Sequence, residues 1–337
     1  MSQNIELKNF ELATVNPSNK TWTSADLFCF WANSIQTIAG FALIASLYLI
    51  YNLSSYLVLS SSIAASILVY FFVNLIGHPS QKHGLPFPVM MRMSMGLNGA
   101  RYFSLLRSIV GIFMFGIQTY FLSKAFGYLI RVIIFSVQPS LLDHDILLIF
   151  FLGLNIIDWA SIVIAIFLQT FLFSVGMIFN KRLIKFSAIA VYFGMLLFFF
   201  TVLLSDVKFS TTVFMKSLDY KNFLKLDNLG PFTTVVGTVF VYFSIVILSF
   251  GDFSRYVKND VELKKGNLSL VLNLILFSFL ALFIVVGVNG FLNENSENLL
   301  KILTNPRDII GSLDNLLITN LVLVFILIAS ISTNLIA

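Results

Sequence analysis

Runs of about 20 predominantly apolar residues recur at 28–50, 56–77, 104–127, 159–179, 186–204, 231–251, 267–290 and 316–337, and they leave this chain few folds to adopt. Lipid offers no water to unpaired backbone N–H and C=O groups, so each run must satisfy its own hydrogen bonds as a helix. The expected class is an all-α integral membrane protein. Composition agrees: 58% of the 337 residues are hydrophobic, 11% are charged and the mean hydropathy is +0.92. A soluble domain carries about 25% charged residues. The third run can continue through Arg131 to Val137, longer than a bilayer is thick, and is then tilted or projecting. The stretch Ile146 to Ile156 is too short to span and reads as an interfacial or re-entrant helix.

Loop charges orient the array. The loops after the second, fourth and sixth helices hold Lys82, Arg92 and Arg101, then Lys181, Arg182 and Lys185, then Arg255, Lys258, Lys264 and Lys265. Those after the third and seventh hold Asp143 and Asp145, then Glu294, Glu297, Asp308 and Asp314. By the positive-inside rule the even loops and the N-terminus face the cytoplasm of a multi-pass protein in the inner or plasma membrane. The first 25 residues lack an apolar core and are no cleavable signal peptide, so the first helix is its own insertion signal. The chain stops inside an apolar segment at Ala337, without a closing charge, which is expected of a fragment.

Several chemistries are excluded. The single Cys29 precludes an intrachain disulfide. No P-loop, dinucleotide turn or basic patch interleaved with aromatics is present, so nucleic acid is not a partner. His78, His83 and His144 fall in predicted loops rather than together as metal ligands, and no nucleophile with a base lies at mid-depth. The reading is not an enzyme, and no cofactor is called for.

What does lie at mid-depth is polar and aromatic. The first helix reads Trp31-Ala-Asn-Ser-Ile-Gln-Thr-Ile-Ala-Gly40, with Asn33, Ser34, Gln36 and Thr37 where polar groups are most expensive. Ala32, Ile35 and Gln36 share a face, and Gly40 is where the helix is expected to loosen and expose carbonyls. Met114 and Gln118 share a face of the third helix, Tyr242 and Phe243 fall near the middle of the sixth, and Ala329, Ser332 and Thr333 repeat the same spacing in the eighth, followed by Asn334. A planar amide-bearing ligand could stack on the aromatic and pair with two glutamines. Hydroxyls with freed carbonyls suit a hard monovalent cation. Taken singly, each residue also fits interhelical packing, and Asp252 with Arg255 fits a loop ion pair better than a proton relay.

The chain resembles the nucleobase-cation symporter-1 family, which includes permeases for uracil, cytosine, allantoin, thiamine and hydantoins. The resemblance is carried by Asn16-Pro17 with Lys20-Thr21-Trp22, the proline- and methionine-rich block 84–96 with Gly99-Ala100, Phe115-Gly-Ile-Gln-Thr119, Gly251-Asp-Phe-Ser-Arg-Tyr256 and Ser332-Thr333-Asn334. It implies two five-helix inverted repeats with helices one and six broken. Residues 1–27 would be a cytoplasmic tail, 28–204 the first repeat and 205–337 part of the second, truncated within helix eight. It also implies a substrate site of Gln36, Met114, Gln118, Tyr242, Phe243 and Asn334. The implied sodium site comprises the carbonyls of Ala32, Ile35 and Ala329 and the hydroxyls of Ser332 and Thr333. Met114 stands where some members carry a stacking tryptophan, which favours a small pyrimidine. The function expected is a secondary transporter importing a nucleobase or ureide by cation symport, sodium first because no acid at that depth can hold a proton. The alternatives are a proton-coupled hydantoin or thiamine permease and a non-transporting receptor.

Overall fold

In the computed structural model, which describes residues 12–138, 140, 149–175, 177–218, 228–294, 309 and 316–336, every apolar run is helical. Helix α1 (Ser24–Ile35) begins four residues before the expected boundary at 28, because the Asp26 carboxylate accepts from the Thr23 backbone N–H at 2.9 Å and closes its first turn. Helix α2 (Ile38–Leu49) continues the same span after a 55° bend. The break falls at Gln36 and Thr37, not at Gly40. Thr37 is extended (φ −110°, ψ 158°) and its hydroxyl accepts the Gly40 N–H at 2.8 Å, so a new helix starts inside the membrane on its own N-cap. Gly40 is helical and serves a close approach, since a Cβ there would stand 3.0 Å from the Ile35 carbonyl oxygen.

The remaining elements are α3 (Ser55–His83), α4 (Phe87–Val137), α5 (Ile156–Ser174), α6 (Met177–Ser205), α7 (Val207–Ser217), α8 (Leu229–Ser254), α9 (Asp260–Glu294) and α10 (Leu316–Ile336). The long α4 turns at Gly96, whose φ of 68° and ψ of −177° only glycine adopts without strain. Helix α7 was not anticipated; Asp206 caps it by accepting from Phe209 N at 2.9 Å. The sixth span, expected to be broken, is one continuous helix. Its hydroxyls on Thr233, Thr234, Thr238 and Ser244 donate back to carbonyls of the preceding turn, so none opens a new turn as Thr37 does. The expected short helix at Ile146–Ile156 is, in its described part, a tight turn bridged between Phe151 and Leu154, with positive φ at Leu152 and Gly153 that a right-handed helix cannot accommodate. His78 and His83 lie in the last turns of α3 rather than in a loop, and His144 lies outside the described residues.

Six helices and the bent α1–α2 pair are long and apolar enough to cross a bilayer, as befits a multi-pass membrane protein. Helix α3 packs on α8 and α9, α1 on α9 and α6, α10 on α6 and α4, and α4 on α5. One large core centres on Trp31, which stacks on Phe250 at 5.2 Å and donates to Asn267 Oδ1 at 3.2 Å. A smaller cluster of Leu122, Ala125, Ala165, Leu323 and Leu327 joins α4, α5 and α10. Several ion pairs join helices. Asp26 pairs with Lys185 at 2.6 Å and Lys181 at 3.1 Å, joining α1 to α6. Asp158 holds Arg131 at 2.9 Å and Lys124 at 3.2 Å, joining α5 to α4. Asp252 pairs with Arg107 of α4 at 2.6 Å, while Arg255 donates to the Asp252 backbone carbonyl; the expected Asp252–Arg255 loop pair is replaced because the fold brings α4 within reach.

Candidate functional site

The break between α1 and α2 sets the geometry. At its edge the Ala32 carbonyl accepts from Gln36 N at 3.0 Å and the Ile35 carbonyl from Thr37 N at 2.9 Å, so each keeps a lone pair to spare. Thr37 Oγ1 and Tyr242 Oη lie 2.6 Å apart and tie the bend to the middle of α8. Gln36 is buried with neither amide atom in a hydrogen bond of ordinary geometry among the described residues. The Tyr192 hydroxyl beside it gives its proton to Asn273 Oδ1. An amide left this way inside a membrane is costly unless a ligand completes it.

Two clefts meet at this segment. One is lined by Gln36, Thr37, Phe41, Phe198, Phe277 and Ala329 among others, and is apolar. The other, about 520 Å³ including its open mouth, is lined by Ser34, Met114, Gln118, Tyr242, Ser249, Phe253 and Thr333 with two aliphatic neighbours. The structure thus brings Met114, Gln118 and Tyr242 to one cleft, while Gln36 lines the other. Phe243 is 2% exposed, packs edge-on against Tyr242 in the core and lines neither cleft. Asn334 is buried, and both atoms of its amide lack partners among the described residues.

On α10, Ser332 is fully buried and its hydroxyl has no partner among the described residues. Thr333 Oγ1 shares its proton between the Asn33 carbonyl at 3.0 Å and the Ala329 carbonyl at 2.9 Å. Thr333 thus joins α10 to α1 at Asn33, the residue after Ala32, and its neighbours on α10 are Ala329 one turn before and Ser332. A hydroxyl that donates to a carbonyl still offers its lone pairs, and Ser332 Oγ is unspent, so this donor set of neutral oxygens fits a hard monovalent cation. Among the described residues no cluster of histidine, cysteine or carboxylates could hold a metal ion.

Sequence reasoning assigned no role to Thr37, Ser249 or Ser187. Thr37 carried a readable signal, a threonine before a fresh apolar run, which is how a helix start looks. Ser187 carried none, because its partner lies 154 positions away.

The family described as permeases for cytosine/purines, uracil, thiamine and allantoin matches residues 14–337. The chain is 26% identical over 339 aligned residues to an allantoin permease of Bacillus subtilis, covering 98% of this chain and 65% of that protein. It is 24% identical to a purine-uracil permease of Arabidopsis thaliana, covering 98% of this chain and 52% of the relative. It therefore spans between about half and two thirds of the length of these curated relatives. Among solved structures, the nucleobase-cation-symport-1 transporter Mhp1, closed with bromovinylhydantoin bound, superposes with a TM-score of 0.67 at 17% identity, covering 98% of this chain and 67% of that one. The overall fold is shared with that transporter.

Proposed function

Since the chain belongs to the family of permeases for cytosine/purines, uracil, thiamine and allantoin, we propose that it is the greater part of a secondary transporter importing a nucleobase or ureide with sodium. The observation that carries this reading is that, among the described residues, the buried Gln36 amide at the helix break and Ser332 Oγ, beside the Thr333 that bonds the Asn33 carbonyl, have no hydrogen-bond partner of ordinary geometry. Buried polar groups are ordinarily paired, and those that are not call for an occupant.

In this reading the ligand lies against Tyr242 and Met114, with Gln118 pairing its edge and Gln36 closing from across the bend. Tyr242 is the stacking ring in preference to Phe243, which is walled into the core. Ureides and nucleobases present adjacent N–H and C=O groups, and primary amides answer both. Sodium would be held by the carbonyls of Ala32, Ile35 and Ala329 and the hydroxyls of Ser332 and Thr333, and when bound it supplies the charge that offsets these converging oxygen dipoles. The end of α1 would then be fixed against α10, with Gln36 one residue beyond it. Such coupling is reciprocal, so ligand must raise sodium affinity by the factor by which sodium raises ligand affinity. The basic residues at 82–101, 181–185 and 255–265, around the ends of the second, fourth and sixth spans, support a cytoplasmic N-terminus.

The test is uptake of radiolabelled allantoin and uracil by cells expressing the full-length protein, with sodium or with choline in its place, beside Gln118→Ala. Sodium-stimulated accumulation of either compound, lost in the variant, is the expected result. Uptake indifferent to sodium but abolished by a protonophore would overturn the coupling ion, and binding without accumulation would overturn transport.

A further inference from the structure

We infer that Asn33 and Ser187 are positioning residues of the cation site, and that through them α6 is tied to it. The inference rests on the reading of Ala32, Ile35, Ala329, Ser332 and Thr333 as a sodium site. Asn33 follows Ala32 directly and is completely buried. Its amide nitrogen spends both hydrogens, on the Cys29 carbonyl at 2.8 Å within α1 and on the Ile184 carbonyl at 2.8 Å in α6. Its Oδ1 accepts from Ser187 Oγ of α6 at 2.7 Å. That same hydroxyl also reaches the Ile328 carbonyl on α10 at 3.1 Å. The Asn33 backbone carbonyl, in turn, accepts from Thr333 Oγ1.

Two consequences follow from the connectivity. Ser187 touches the residue after Ala32 and the residue before Ala329, so one α6 hydroxyl sets the spacing between two of the carbonyls that would face the ion. The Thr333 proton is committed to carbonyls, which leaves the lone pairs of its oxygen to the ion side. A buried network of this kind is stiff, because in a low dielectric each bond strengthens and no water can replace a lost partner. Outer-shell partners of metal ligands commonly change affinity by about 10- to 100-fold when removed. An asparagine serving only to glue α1 to α6 would need neither Ser187 nor the link onward to α10.

The test uses sodium alone as the probe, so it does not depend on knowing the transported compound. The melting midpoint of the purified full-length protein in detergent is followed as choline is replaced by sodium, and the half-saturating concentration is read from the stabilisation. Four variants are compared with the wild type: Ser187→Ala, Ser187→Thr, Ser332→Ala and Ser62→Ala. The last removes another buried hydroxyl, which donates to Val58 O of its own helix. The expected result is that Ser187→Ala raises the half-saturating sodium at least about tenfold, Ser187→Thr restores it, Ser332→Ala abolishes the response and Ser62→Ala leaves it unchanged. If wild type responds and Ser332→Ala does not, yet Ser187→Ala titrates like wild type, the role of Asn33 and Ser187 is overturned and the sodium site stands. If Ser62→Ala shifts the titration as far as Ser187→Ala, a merely structural effect replaces the proposal. A wild type that sodium does not stabilise overturns the site and the inference together.

Discussion

Replacing Thr37 by valine keeps the shape of the side chain and removes its oxygen, which has two partners. One is the Gly40 N–H at 2.8 Å, the N-cap bond that starts α2. The other is the Tyr242 hydroxyl at 2.6 Å, the bond that pins the bend to α8. An N-cap is worth about 1 kcal/mol, and an interhelical hydrogen bond in a membrane protein about 0.6–1.7 kcal/mol. Thr37→Val is therefore expected to lower the unfolding free energy by about 2 kcal/mol, and Tyr242→Phe, which loses the bond to Thr37 but leaves the cap, by about 1 kcal/mol. The double variant should lose no more than about 2 kcal/mol, leaving a coupling energy near 1 kcal/mol. The assay is reversible unfolding of the purified full-length protein in mixed micelles with increasing dodecyl sulfate, followed by tryptophan fluorescence. Thr37→Ser should recover both bonds. Fully additive losses, with a coupling energy near zero, would refute the claim that Thr37 and Tyr242 hold the break in place.

Two further outcomes come from the packing. Asp158→Asn leaves Lys124 and Arg131 facing each other without their shared anion, and is expected to cost about 3 kcal/mol in the same unfolding assay because a partly buried ion cluster loses the carboxylate that joins it; a loss below about 0.5 kcal/mol would show the cluster to behave as an exposed pair. Gly77→Ala places a Cβ 2.7 Å from the Phe250 ring, itself fully buried and stacked on Trp31, so the α3–α8 contact must open. The expected net loss is about 1–2 kcal/mol, the overpacking cost outweighing the gain in helix propensity, and an unchanged or raised stability would show that Phe250 can move.

The fold class and every long helix were legible because the bilayer imposes a rule on single segments: length and apolarity decide whether a run spans, whatever surrounds it. The family was legible too, in ordered motifs such as Gly251-Asp-Phe-Ser-Arg-Tyr256. Within the candidate site, Gln36, Gln118, Ser332 and Thr333 stood out because polar side chains at that depth are rare. Helix termini and breaks were less legible. Gly40 was the natural place for a loose turn by backbone freedom, but Thr37 supplied a cap three residues earlier, and a specific hydrogen bond outweighed a general permissiveness. The expected break in α8 drew on resemblance rather than on a capping residue, and its hydroxyls bond backwards instead.

By itself the sequence determined that this chain crosses a membrane as helices, and which few residues must be accounted for once it does, because both follow from the solvation of each segment taken alone. Only the tertiary structure decided the partners: Asp252 with Arg107 instead of Arg255, Tyr242 rather than Phe243 on the cleft wall, and Asn33 with Ser187 beside the α10 hydroxyls. These pairings join residues up to 300 positions apart. A hydrogen bond is made or lost within an ångström, a distance that no local periodicity encodes and that the packing of all the helices together settles.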